Sequence, residues 1–170
     1  MPKHTQTVLS FRRLALAAVS LAGLLSCPQF ASAEAGGPFA KFIGNWRGSG
    51  TVQSKSAGRE RINCRADYSS SEGGEGLTQN LVCAGDSYKF EVHAYVIASG
   101  SSAEGNWQES TRQVSGHLTG RVSDGQFEGV VSGPFTASIG IRSTGRGQAV
   151  SITPRGTDIT SVEVTLTRAR

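Results

Sequence analysis

The chain is poor in the side chains that most often carry chemistry. Among its 170 residues there are three histidines, three cysteines and one methionine. Past residue 33 the histidines are His93 and His117, and both fall on predicted outward faces. A His-activated nucleophile or a metal centre needs partners held at hydrogen-bond or ligand distance. Lys89 and Glu91 flank His93, one position short of such a set. The carboxylates are dispersed, with no pair facing across a predicted interior to split their pKa values. No serine sits in a nucleophile elbow. Gly145-Arg146-Gly147 is followed by no helix that could hold a phosphate. No catalytic residue, metal or cofactor is expected, and the chain reads as a protein that is not an enzyme.

Long apolar runs are also lacking. The longest, Leu14–Leu25, has about 12 residues, short of the roughly 20 that a spanning helix needs. It follows a basic segment with Lys3, His4, Arg12 and Arg13, and it precedes Ala31-Ser32-Ala33, a small-x-small cleavage site. That order is the pattern of a secretory signal over 1–33, with Glu34 as the mature N-terminus and 34–170 as one domain. The alternative is Leu24-Leu25-Ser26-Cys27, an imperfect lipobox in which Cys27 would be lipidated. Export places the domain in the periplasm or outside the cell; lipidation would anchor it to a membrane.

Without the leader the charge excess nearly vanishes. Removing Lys3, Arg12 and Arg13 from 17 bases leaves 14 against 13 acids, a net charge of +1. The remaining bases are scattered, so no nucleic-acid footprint survives. Cys64 and Cys83 are then an even pair in an exported chain, which reads as a disulfide.

Helical periodicity is absent beyond Trp46. Alternating runs are interrupted roughly every 8–12 residues by Gly, Asp, Asn or Ser, the all-β pattern. Two-residue turns fix a register, because paired positions then have a constant sum. A turn at Gly73-Gly74 sets Cys64 opposite Cys83 and Ala66 opposite Leu81, with Ile62 and Tyr68 on the same apolar face. A turn at Gly85-Asp86 would set Cys83 opposite Tyr88 and Leu81 opposite Phe90, the core face continuing through Val92, Ala94 and Val96. Asp124-Gly125 pairs Val122 with Phe127 and Leu118 with Val131. Gly145-Arg146 pairs Ile139 with Ile152 and Ile141 with Val150.

Adding a first strand from Trp46, one through Trp107 and a last one through Val162, Val164 and Leu166 gives nine or ten strands. An antiparallel meander of that size is expected to form a closed or nearly closed small barrel, which removes exposed edges. A two-sheet sandwich is the alternative. Phe39–Phe42 is expected to be a short helical turn capping one end. Outward Lys89, Glu91, His93 and Arg121 do not suit the apolar band of a membrane barrel. Tyr68, Tyr88, Phe90, Trp107, Phe127 and Phe135 face inward, where side chains usually fill a small barrel, so packing is favoured over a pocket. Arg47, Arg142 and Arg146, near strand ends, are candidates to hold an anion at a barrel mouth.

Gly44-Asn45-Trp46 resembles the Gly-x-Trp that opens the first strand of lipocalins and related calycins, where the Trp packs across the closed barrel end; the resemblance implies that duty for Trp46. Trp46-Arg47-Gly48-Ser49-Gly50 also resembles the opening of nitrobindin-type haem barrels. That family implies an axial histidine late in the chain, and none follows His117. A signal, a Gly-x-Trp barrel and one disulfide are similarly combined in bacterial metalloprotease inhibitors, whose inhibitory N-terminal segment has no match here. "NLVCAGDSYKFEV" and "VSITPRGTDITSVEVTL" resemble small exported alphaproteobacterial proteins without assigned activity.

The expected role is therefore that of an exported, monomeric, non-catalytic barrel binding a small apolar or amphipathic molecule. The alternatives are a protein-binding module, such as a protease inhibitor, and a structural accessory of the cell envelope. The exported chain should begin at Glu34. N-terminal sequencing of protein from its own host checks this, and a lipidated Cys27 would overturn it.

Overall fold

The computed structural model describes residues 36–170. The leader, Cys27 and the cleavage site before Glu34 lie outside the described residues. Ten strands follow in order: β1 (Gly44–Ser54), β2 (Gly58–Ser71), β3 (Gly76–Ala84), β4 (Lys89–Ser99), β5 (Ser102–Glu109), β6 (Val114–Ser123), β7 (Gln126–Ser132), β8 (Thr136–Ser143), β9 (Gly147–Arg155) and β10 (Ile159–Arg168). Each pairs antiparallel with the next, and β10 pairs with β1, closing the barrel.

Alternation drives the strands, since side chains point to opposite faces every residue. In β2, Ile62, Cys64, Ala66 and Tyr68 are buried, while Arg61, Asn63, Arg65 and Asp67 are exposed. The β1–β10 seam matches Gly48 with Leu166, Gly50 with Val164 and Val52 with Val162. A Cβ on Gly48 or Gly50 would collide with the Thr165 or Glu163 carbonyl across the seam. Glycine at these inward positions lets the two backbones come together tightly enough to close the sheet.

Three of the four anticipated registers hold: Cys64 faces Cys83, Val122 faces Phe127, and Ile139 faces Ile152. Asp124 and Gly125 both have positive φ, 41° and 82°, as a type I′ turn requires. The β3–β4 register differs. Cys83 faces Phe90 and Leu81 faces Val92, two residues beyond the expected pairing. A two-residue hairpin needs positive φ at its first central position, which Gly85 lacks. Instead the Gly85 N–H donates to the Tyr88 carbonyl at 2.8 Å, and the Ser87 N–H donates to the Glu60 carboxylate at 2.8 Å. The loop thus takes in Ser87 and Tyr88. A shift of two preserves parity, so the inward face of β4 is unchanged.

One barrel end is plugged. Phe39 and Phe42 are buried in a turn made by N–H bonds from Ala40 to the Gly37 carbonyl and from Phe42 to the Phe39 carbonyl. Trp46 is fully buried above them, its indole N–H donating to the Phe42 carbonyl at 2.7 Å. The Arg168 guanidinium lies over the Trp46 ring, 5.5 Å from its centroid. Gly44, at φ +125°, turns the chain from this plug into β1, a conformation that only glycine takes readily. The Ser143 hydroxyl fixes the turn from the far side by donating to the Lys41 carbonyl at 2.5 Å.

Cys64 and Cys83 form a disulfide on the core face, with Cα atoms 4.1 Å apart and a sequence separation of 19. By chain entropy a loop of that length is worth ~3 kcal/mol. Cys83→Ser should lower the melting temperature by on the order of 10 °C, and reductant should do the same to the wild type. Calorimetry checks this; an unchanged transition would show that the bond constrains nothing.

Candidate functional site

The barrel encloses a cavity of about 490 Å³. Its floor is Phe39, Phe42 and Leu77, and its walls include Ile62, Leu81, Val92, Trp107, Ile139 and Ile152. Its rim is formed at the opposite end by Tyr88, Arg112, Pro154, Thr157 and Asp158. Leu77 in the floor and Tyr68, Val96 and Val164 in the wall are buried, whereas Phe90, Val92, Phe135 and Ile159 nearer the rim are half-buried.

The inward aromatics line this space rather than fill it, which corrects the packing expectation. Barrel diameter grows with strand number, and about eight strands give an interior that side chains can fill. Ten strands leave a void, so the aromatics lie against the walls. Tyr88 stacks on Phe90 with centroids 6.0 Å apart, and Trp107 packs against Phe135 at 5.6 Å.

Charge is confined to the rim. Glu109 is 5 % exposed and points inward, two residues beyond Trp107 on the same face of β5. Its Oε1 accepts N–H bonds from Glu91 and Thr111 at 3.1 and 2.9 Å, and its Oε2 accepts one from Arg112 at 2.8 Å. Burial alone would raise its pKa, but the hydrogen bonds from Glu91, Thr111 and Arg112 outweigh it and hold the carboxyl below its ordinary value. The Arg112 guanidinium sits over the Phe90 ring at 5.0 Å and donates to the Lys89 carbonyl at 3.0 Å.

Two polar side chains lie deeper, at the facing positions Tyr68 and Gln79 of β2 and β3. Sequence reasoning passed over Glu109, Arg112 and Gln79. Parity with Trp107 marks Glu109 as inward, and the Cys64–Cys83 register marks Gln79 as the partner of Tyr68. Arg112 had no such signal, because it reaches the rim from the β5–β6 loop.

The other sequence candidates lie elsewhere. Arg47, Arg142 and Arg146 sit at the plugged end, exposed and away from the cavity, so they do not serve its mouth. His93 is exposed, with Nδ1 2.6 Å from the Asn80 Oδ1, and His117 is exposed on β6. Neither lines the cavity. Among the described residues no three His, Cys, Asp or Glu side chains gather as a metal site, and no helix is long and apolar enough to cross a membrane.

A closed antiparallel barrel with one plugged end and an apolar cavity is a calycin-like architecture, and the Gly-x-Trp resemblance is consistent with it. No protein-family model and no curated protein matches the chain. Among solved structures it is similar to Rv2717c from M. tuberculosis, with a TM-score of 0.64 and 14% identity over 78% of this chain and 95% of that one. It is also similar to the S-type phycobiliprotein lyase CPES from Guillardia theta, with a TM-score of 0.52 and 15% identity over 78% and 90%. At these identities the likeness is one of fold. It nonetheless overturns the expectation that the chain is not an enzyme. That expectation rested on missing acid–base and nucleophile patterns, and a barrel of the same fold is a phycobiliprotein lyase.

A depressed carboxyl contributes stability that is fully present above its unfolded value and lost as pH falls through its folded one. The melting temperature should therefore fall as pH drops below about 4.5, the ordinary value for Glu109. Glu109→Gln should be less stable than the wild type at neutral pH and should lose less over that acid window. Thermal melts from neutral to acid pH check this; parallel curves for the two proteins would show that Glu109 does not carry the dependence.

Proposed function

We propose that the chain is an exported barrel that takes up one small, largely apolar molecule in its cavity, with residues 1–33 as the leader and 34–170 as the mature domain. The observation that carries the reading is the cavity itself. At about 490 Å³ it falls within the ~300–1,000 Å³ of small-molecule sites, and its walls are almost wholly hydrocarbon and aromatic. Burying apolar ligand surface there is worth ~25 cal/mol per Å² before the costs of association. The plugged floor and single rim make entry one-ended. Export is supported by the leader pattern and by the Cys64–Cys83 disulfide, a bond that persists in oxidising compartments.

A protein-binding role finds no comparable support among the described residues. The exposed large apolar side chains are Tyr95, Ile97 and Val130. Glu104 and Thr119 separate Ile97 from Val130 across the sheet, so they form no continuous patch.

The hydrocarbon fluorophore diphenylhexatriene should bind at one molecule per barrel. Val92→Trp, which puts an indole into the upper cavity, should weaken that binding at least about tenfold, the effect of losing ~1.4 kcal/mol. Titration with a melting control checks this. Unsaturable binding, or binding indifferent to the substitution, would place the probe outside the cavity. Native mass spectrometry of protein from its own periplasm should then show a retained ligand.

A further inference from the structure

Polar groups in the barrel interior fall into three states. Glu109 is fully hydrogen-bonded at the rim. Both side-chain polar atoms of Gln148 are sealed in without a partner, but Gln148 does not border the cavity. Tyr68 and Gln79 are the third case. They face each other across β2 and β3, both line the cavity, and neither side chain is hydrogen-bonded to another described residue. They are not among the sealed orphan groups, so their polar atoms open onto the cavity. Tyr68 is 3% exposed.

An unpaired phenol and carboxamide in an apolar chamber are unfavourable for folding alone, because each has left water without a substitute partner. We propose that Tyr68 and Gln79 form a recognition pair for one uncharged oxygen function, a carbonyl or hydroxyl, at the leading end of an otherwise apolar ligand. This rests on the cavity being a ligand site and adds the chemical class and the orientation of what enters.

Three features define the class. Facing residues of an antiparallel pair hold their Cβ atoms roughly 4.5–5.5 Å apart, so one ligand oxygen can meet both side chains. Each side chain donates and accepts, which suits a ketone, an ester carbonyl or an alcohol alike. Among the lining residues the ionisable groups besides tyrosine are Glu109, Arg112 and Asp158, all toward the rim. A carboxylate or ammonium brought to Tyr68 would therefore be buried without a counter-charge. Burial also raises the Tyr68 pKa, which keeps the phenol protonated and able to donate.

Depth sets the orientation. Inward positions of β3 run Leu77, Gln79, Leu81 and Cys83 from floor toward rim. At about 3.3 Å per residue, Gln79 lies roughly 13 Å along the strand below Cys83. The polar group must travel past Phe90, Val92 and Leu81 to reach the pair, so it enters first and the apolar tail follows.

The test compares two uncharged fluorophores on the wild type, Tyr68→Phe, Gln79→Leu and the double variant. Prodan is a naphthyl ketone; diphenylhexatriene has no polar atom. Tyr68→Phe and Gln79→Leu should each weaken prodan by about three- to tenfold, the range of one hydrogen bond. The double variant should also blue-shift bound prodan, reporting the lost hydrogen bonds to its carbonyl. Diphenylhexatriene affinity should stay the same or tighten, and melting temperatures should not fall. If both probes weaken together, or prodan ignores the substitutions while both bind the wild type, the recognition pair is wrong and the cavity reading stands. If neither probe binds the wild type, the cavity reading fails and the pair fails with it.

Discussion

Pairing of the first strand with the last is the contact on which the rest of the molecule depends, because an open ten-stranded meander would expose two edges and leave its apolar face to water. Gly48 and Gly50 allow the approach, each lying where a Cβ would strike the β10 backbone. The same seam carries Trp46 to the position opposite Arg168. From there the indole reaches the Phe42 carbonyl and the guanidinium covers the ring. Closure therefore makes both the wall and the floor. The disulfide reinforces a different pair of strands, β2 and β3, which carry Tyr68 and Gln79.

Once the wall is closed, strand number decides what the interior can be. Side chains reach the axis of a narrow barrel and fall short in a wider one. At the plugged end the N-terminal turn brings in Phe39 and Phe42 as extra material. The other end has no such plug, so Phe90, Val92 and Phe135 stay half-buried around open space. Polar groups follow the same geometry. Near the rim the β5–β6 loop backbone can fold onto Glu109 and satisfy it. Deeper in, Tyr68 and Gln79 project from strand positions whose backbone amides are committed to the sheet, and among the described residues no loop donates to them.

Much of this was legible in the sequence because alternation is a local property. Parity along β2, β4, β6 and β8 places Ile62, Val92, Leu118 and Ile139 inward whatever the exact pairing. Even the misassigned β3–β4 register left the core face intact, since the error was two residues. That error came from reading Gly85-Asp86 as a two-residue turn, when a contact 27 positions away, from the Ser87 N–H to Glu60, draws two further residues into the loop. Arg47, Arg142 and Arg146 were correctly seen near strand ends. The sequence does not say which end is open, and all three lie at the closed one.

By itself, then, the sequence determined the strands, their faces and the Cys64–Cys83 pairing, because each follows from the two-residue period and from turns a few residues long. It also marked the small-x-small leader pattern and the dispersed charge. Only the tertiary structure decided that inward aromatics line a cavity, that Arg112 stands at its rim, and that Tyr68 and Gln79 open onto it without a hydrogen-bond partner among the described residues. Those facts depend on barrel radius and on which end is plugged. Both are set jointly by ten strands, the β1–β10 seam and the turn at Phe39–Phe42, and no local pattern encodes a sum taken around a closed ring.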